Sequence, residues 1–219
     1  MYNLFSDSLL NKIRKNAVIA VLVIDDAKDA LPLADALLKG GIEIMELTLR
    51  TEAAFDAVKL LIEERPQMTV GVGTILTAEQ VERVAILGAS FGVSPGMNPK
   101  IVDIAKREAL PFAPGIMTPS DIEVALEFGC RLFKFFPASS AGGLAHLKNI
   151  SAPYQHLGLE FIPLGGVKQD NLQTFLEAPN VAGVGGSWIA TRELINAKNW
   201  DQITKNASEA SKTVKSVRG

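Results

Sequence analysis

The 219-residue chain has little of what marks several large protein classes. Cys130 is its one cysteine, so no disulfide closes within the chain and a reducing compartment is expected. There are two histidines, His146 and His156, in one helical region with no acidic or cysteine cluster beside them, so no metal is expected. Charge of one sign is not in excess: 22 Lys and Arg face 24 Asp and Glu, for a net charge of −2. That balance, without a basic stripe, argues against a nucleic-acid partner. The longest early apolar run, AVIAVLVI at 17–24, is stopped by Asp25 and Asp26, far short of a membrane span. It is not followed by a small-residue cleavage pattern, and a cytoplasmic protein with no membrane partner is expected. Aromatic residues make up 6% of the chain, and Trp188 and Trp200 read as packing residues. The glycine pair in GVGTI lacks the rest of a dinucleotide fingerprint.

What is present is order. Hydrophobic residues reach 47%, enough for a substantial core, and there is no linker or low-complexity segment. Eight short apolar runs each precede a helical pattern: VIAVLVI, EIMELTL, TVGVGT, FGVSP, PFAPGI, LFKFFPA, EFIPLGG and VAGVGGSWI. Thr77, Asn98 with Pro99, and Thr118 with Pro119 read as helix starts. Gly40-Gly41, Gly88 and Gly129 read as helix ends. Eight strand–helix units in so short a chain predict one α/β domain over 1–219, a closed (β/α)8 (TIM) barrel. An open doubly wound sheet is the alternative, and an amphipathic helix near 6–16 is expected to cap the bottom.

Barrels of this kind carry their chemistry at the C-terminal strand ends. In RLFKFFPAS one lysine, Lys134, interrupts an aromatic strand, and the alternation of side chains puts it on one face with Leu132 and Phe136. The phenyl rings around it predict a dry setting. An amine taken out of water gives up its proton more readily and attacks ketones to form Schiff bases. In EIMELTLRT the same alternation gathers Glu46, Thr48 and Arg50 on the inner face and Met45, Leu47 and Leu49 on the outer. In TVGVGT it aligns Val70, Val72 and Thr74, leaving Thr74 at the strand's end. Lysine, carboxylate, arginine and threonine are thus expected in one mouth; an internal salt-bridge network is the plainer reading of Glu46 with Arg50. Two glycine pairs, in PLGGV and VGGSW, end the seventh and eighth strands, where backbone N–H groups can reach a phosphate. Ser187 adds a hydroxyl there.

Together EIMELTLRT, VGVGT, GVSPG, FKFFPA, PLGGV and VGGSW resemble the class I aldolases for 2-keto-3-deoxy-6-phosphogluconate (KDPG), which often also cleave 4-hydroxy-2-oxoglutarate (KHG). The likeness runs from about residue 18 to 190. It implies a TIM barrel, a homotrimer, no metal or organic cofactor, and a phosphorylated keto-deoxy sugar acid and pyruvate as small-molecule partners. It implies Lys134 as the Schiff-base lysine and Glu46 as the general acid/base. Arg50 and Thr74 would hold the pyruvate carboxylate, Pro95 and Phe136 line the pocket, and Gly165, Gly166, Gly186 and Ser187 meet the phosphate. One position departs: many members carry threonine before the seventh-strand glycines, where this chain has Leu164. That hydroxyl orients the aldehyde half, so preference between C4 epimers does not carry over. The other readings of the same residues are an aldolase for the phosphogalactonate epimer or a non-phosphorylated keto acid, a phosphosugar isomerase or epimerase, and a non-catalytic phosphosugar-binding barrel.

Overall fold

The expected punctuation is built as hydrogen bonds. In the computed structural model, which describes residues 5–219, Ser6 caps helix α1 (Asp7–Asn16) by accepting from the Leu9 N–H. The first four residues of the expected 1–219 unit lie outside the described residues. Thr77 opens α4 (Ala78–Ile86) and Thr118 opens α6 (Pro119–Glu127), each with a reciprocal capping box. Asn98 caps α5 (Pro99–Arg107), whose first position is the proline. The remaining long helices are α2 (Ala30–Lys39), α3 (Ala54–Glu64), α7 (Gly143–Ser151) and the closing α10 (Trp200–Arg218). Two short ones, α8 (Leu172–Leu176) and α9 (Arg192–Asn196), complete the set.

Every strand pairing is parallel. Strands β1 (Val18–Leu22), β2 (Ile44–Thr48), β3 (Thr69–Gly73), β4 (Phe91–Val93), β5 (Phe112–Ala113) and β9 (Val184–Gly186) form one six-stranded sheet, with β9 beside β1. Strands β6 (Gly115–Ile116), β7 (Leu132–Phe135) and β8 (Glu160–Pro163) form a second of three. The expected fifth strand is therefore two pieces, split at Pro114. A proline has no N–H to give to a ladder, though the Pro114 carbonyl still accepts from the Lys134 N–H at 3.0 Å. Between β8 and β9 the contact reduces to isolated bridges, Phe161 with Val181 and Leu164 with Gly185. The result is an α/β fold around a curled parallel sheet.

The core falls into two clusters, and they separate the two faces of the strands. Met45, Leu47, Val70, Val72, Phe133 and Phe135 pack outward against the helices. Ile19, Ile44, Phe91, Val93, Ala113, Leu132 and Ile162 pack inward, closed below by Leu10 and Ile13 of α1. Arg14 holds α1 in place through two hydrogen bonds to Glu160, at 2.9 and 2.6 Å. Among the described residues no helix is long and apolar enough to cross a membrane.

Candidate active site

Above the apolar inner cluster the next inward positions are polar. Glu46 follows Ile44 on β2 and Lys134 follows Leu132 on β7, and each is nearly out of water, at 3% and 6% exposure. The Lys134 Nζ donates to Glu46 Oε1 at 3.0 Å across the interior. The expected meeting of amine and carboxylate from distant strands is therefore made. The expected collar of phenyl rings is not: Phe133 and Phe135 share the outward face of β7 and belong to the helix-facing cluster. Among the described residues the ring set over the amine is that of Phe136, with its centroid 5.5 Å from Nζ. The carboxylate, rather than a shell of aromatics, is what makes the buried cation tolerable.

The neighbouring strand makes room for this pair. A Cβ at Gly73 on β3 would collide with the Glu46 carboxylate. Because Val70 and Val72 face the helices, the inward set on β3 is Thr69, Gly71 and Gly73, and strict alternation would send Thr74 outward with the valines. The chain escapes that rule by turning at Thr74, whose φ of 60° breaks the alternation and whose side chain is half-buried. Arg50 stands beyond the end of β2, exposed, with its Nε donating to Thr48 Oγ1 at 3.2 Å. Thr48 in turn donates to the Leu22 carbonyl at 2.8 Å. Among the described residues Glu46 makes its ion pair with Lys134, not with Arg50, which removes the plainer salt-bridge reading of those two. The Pro95 backbone presses against Gly115, the residue paired with Lys134 across β6 and β7.

Gly165 and Gly166 both take positive φ, 99° and 79°. A side chain at Gly165 would crowd Pro137 and the Phe136 ring, and one at Gly166 would run into Ser139. This turn therefore lies against the ring that lies near the amine. Gly186 is glycine for another reason, since the Trp188 indole packs where its Cβ would be. Leu164 is buried, with its side chain over Gly185 on β9.

A cavity of about 370 Å³ brings Arg50, Gly166 and Ser187 together with Val21 and Val23 of the first strand segment. It also holds Trp188, which the sequence reading took for a packing residue, and residues that it passed over: Lys168, Thr191, Arg192 and Glu193. Their signal lay a few positions beyond each glycine pair, in GGVK and SWIATR, where a basic residue follows the loop. A larger hollow of about 840 Å³, between α7 and α8, contains none of the expected residues. His146 and Cys130 have structural settings. The imidazole stacks on Phe135 and bonds the Met117 carbonyl at 2.9 Å, and burial pushes the Cys130 thiol up to about 12. Among the described residues no three His, Cys, Asp or Glu gather as a metal site would require.

A curled parallel sheet with helices outside, and a buried amine paired to a carboxylate on its inner face near the C-terminal strand ends, is the arrangement of an α/β barrel-type enzyme. The chain belongs to the family described as KDPG and KHG aldolase, whose model matches residues 9–206. It is 40% identical over 210 residues to the 2-dehydro-3-deoxy-phosphogluconate aldolase of Haemophilus influenzae, covering 96% of this chain and 98% of that one. It is 37% identical to the KHG/KDPG aldolase of Escherichia coli K12, covering 88% of this chain and 90% of the other. Among solved structures, the KDPG aldolase of Legionella pneumophila, with pyruvate captured as a covalent carbinolamine intermediate, superimposes with a TM-score of 0.87 at 40% identity. That likeness covers 92% of this chain and 97% of that structure.

Proposed function

We propose that this protein is a Schiff-base aldolase that reversibly cleaves KDPG to pyruvate and glyceraldehyde 3-phosphate, and also cleaves KHG to pyruvate and glyoxylate. The observation that carries the reading is the buried contact of Lys134 Nζ with Glu46 Oε1 at 3.0 Å. It puts a nucleophile and a proton acceptor within one hydrogen bond of each other. The relatives named above, and the carbinolamine in the Legionella pneumophila structure, support the same assignment.

In this mechanism Lys134 first passes a proton to Glu46, and the free amine adds to the C2 ketone. Glu46 returns that proton to the departing hydroxyl, so that water leaves and an iminium remains. Glu46 takes the proton from the C4 hydroxyl as the C3–C4 bond breaks, and those electrons flow into the iminium to give an enamine. The aldehyde leaves. Glu46 returns a proton to C3, and water adds back to release pyruvate and regenerate the amine. Arg50 and Thr74 hold the C1 carboxylate, the arginine through a planar fork that a lysine could not supply. Pro95 and Phe136 wall the reacting carbons, and Gly165, Gly166, Gly186 and Ser187 receive the phosphate. The nine strand segments are read as a single closed (β/α)8 barrel, a reading that the isolated bridges at Phe161 and Leu164 support. The family resemblance supports a homotrimer working in the cytoplasm, and sedimentation measures the assembly.

Borohydride reduction in the presence of pyruvate tests the proposal. Peptide mapping is expected to find the added mass on Lys134 alone, and a phosphosugar isomerase or epimerase would leave the chain unmodified. An unlabelled chain, or a label on another lysine, overturns the assignment.

A further inference from the structure

The cavity that holds Arg50, Gly166 and Ser187 carries more positive charge than the glycine loops account for. Arg50, Lys168 and Arg192 all line it, together with Gly166 and Ser187. Of these, Arg192 is held in a fixed pose. Its Nε donates to Asp25 Oδ2 at 2.7 Å and its Nη2 to Asp25 Oδ1 at 2.6 Å, a two-point fork. Asn196 donates to the same carboxylate at 3.0 Å, so Asp25 is itself pinned from two directions. The fork uses two of the five guanidinium donors, and no hydrogen bond from Nη1 is made among the described residues. More than half of the Arg192 side chain is open to solvent, so those donors remain within reach of a ligand. Glu193, the acid on the same wall, is engaged locally, held below the usual carboxylate range by its own backbone N–H and the Thr191 hydroxyl.

We propose that Arg192, oriented by Asp25, is a specificity-determining residue that binds the phosphate of the aldehyde half through its outward-facing donors. The inference rests on the aldolase reading above and deepens it. A substrate with a carboxylate at one end and a phosphate at the other needs a cation at each, and Arg50 and Arg192 supply them along one cavity. Pre-orientation matters, because a guanidinium already fixed in place loses little freedom when the anion arrives. Lys168 adds charge without a fixed direction.

The test is the condensation reaction with saturating pyruvate and two aldehydes that differ only in the phosphate. The kcat/KM ratio for glyceraldehyde 3-phosphate over glyceraldehyde is expected to fall about tenfold in Arg192→Ala, the scale of one or two charge-assisted hydrogen bonds. The double variant Asp25→Asn/Arg192→Ala removes any repulsion from a freed carboxylate, and its ratio is expected to stay at least threefold below the wild-type value. A ratio that changes by less than threefold in both variants overturns the proposal, whether the two rates fall together or not. Calorimetric titration with inorganic phosphate needs no turnover, and the single variant is expected to bind about tenfold more weakly; equal binding overturns the proposal. Should pyruvate fail to label Lys134, the aldolase reading falls, and this titration still judges Arg192.

Discussion

A lysine at 6% exposure and a glutamate at 3% are stable only as partners. Replacing Lys134 by methionine keeps its volume and leaves the Glu46 carboxylate buried without a counter-charge. Breaking such a pair from one side costs about 3–5 kcal/mol, whereas removing both charges is close to neutral. Lys134→Met is therefore expected to lose all Schiff-base chemistry and a large part of its stability together. Lys134→Met/Glu46→Gln is expected to recover most of that stability and none of the activity. Denaturant unfolding of the two variants checks this, and equal losses in both would show that the pair does not hold itself in the fold. The sequence made the partnership legible through strand alternation, because both residues sit an even number of places from inward apolar neighbours. Alternation was silent on how the charge is tolerated. Phe133 and Phe135 adjoin Lys134 in the chain, yet odd spacing turns them to the opposite face.

At the scale of the element, the chain's helix starts were the most legible feature, because a cap is a local bond between residues two or three apart. Thr118 shows how much one start does. Asp121 Oδ2 accepts from the N–H groups of Met117 and Thr118 and from the Thr118 hydroxyl, each at 2.9 Å, while Thr118 Oγ1 accepts back from the Asp121 N–H. This box aims α6 directly off β6, the strand that pairs with the lysine strand. Thr118→Ala is expected to cost about 1 kcal/mol of stability, as caps do. Pyruvate labelling of Lys134 should survive, because the ladder from Gly115 to Lys134 does not use the cap. A loss of labelling in a variant that still unfolds cooperatively would mean that the helix start holds the site itself. Strand ends were less legible than helix starts. The apolar run PFAPGI reads as one strand, but Pro114 divides its ladder in two. Thr74 reads as the next step of an alternation that its own left-handed backbone interrupts. In both places the outcome depends on which backbone groups find partners, and composition does not encode that.

At the scale of the whole molecule, order along the sequence gave the succession of strands and the place of the mouth, while the charges that tie distant segments together stayed hidden until the fold brought them into reach. Asp25 and Arg192 are 167 positions apart, and their contact joins the loop after the first strand to the helix after the last. The Asp25 carboxyl is held down to about 2, from 3.8, chiefly by its hydrogen bond from Arg192 and next by the one from Asn196. A carboxyl with a depressed folded value adds stability that is fully present above its unfolded value and lost as pH falls through the folded one. For this pair the contribution is whole above about pH 4, declines between 3.8 and about 2, and is gone below. Asp25→Asn lacks the titrating group but keeps every other acid, so general acid denaturation is common to both proteins. The gap in melting temperature between wild type and Asp25→Asn is expected to hold steady from pH 7 to 5 and to narrow steadily below pH 4. Because the pair is open to solvent, the same gap is expected to shrink in high salt. A gap that persists unchanged to pH 2 would mean that the carboxylate does not join the two ends of the chain.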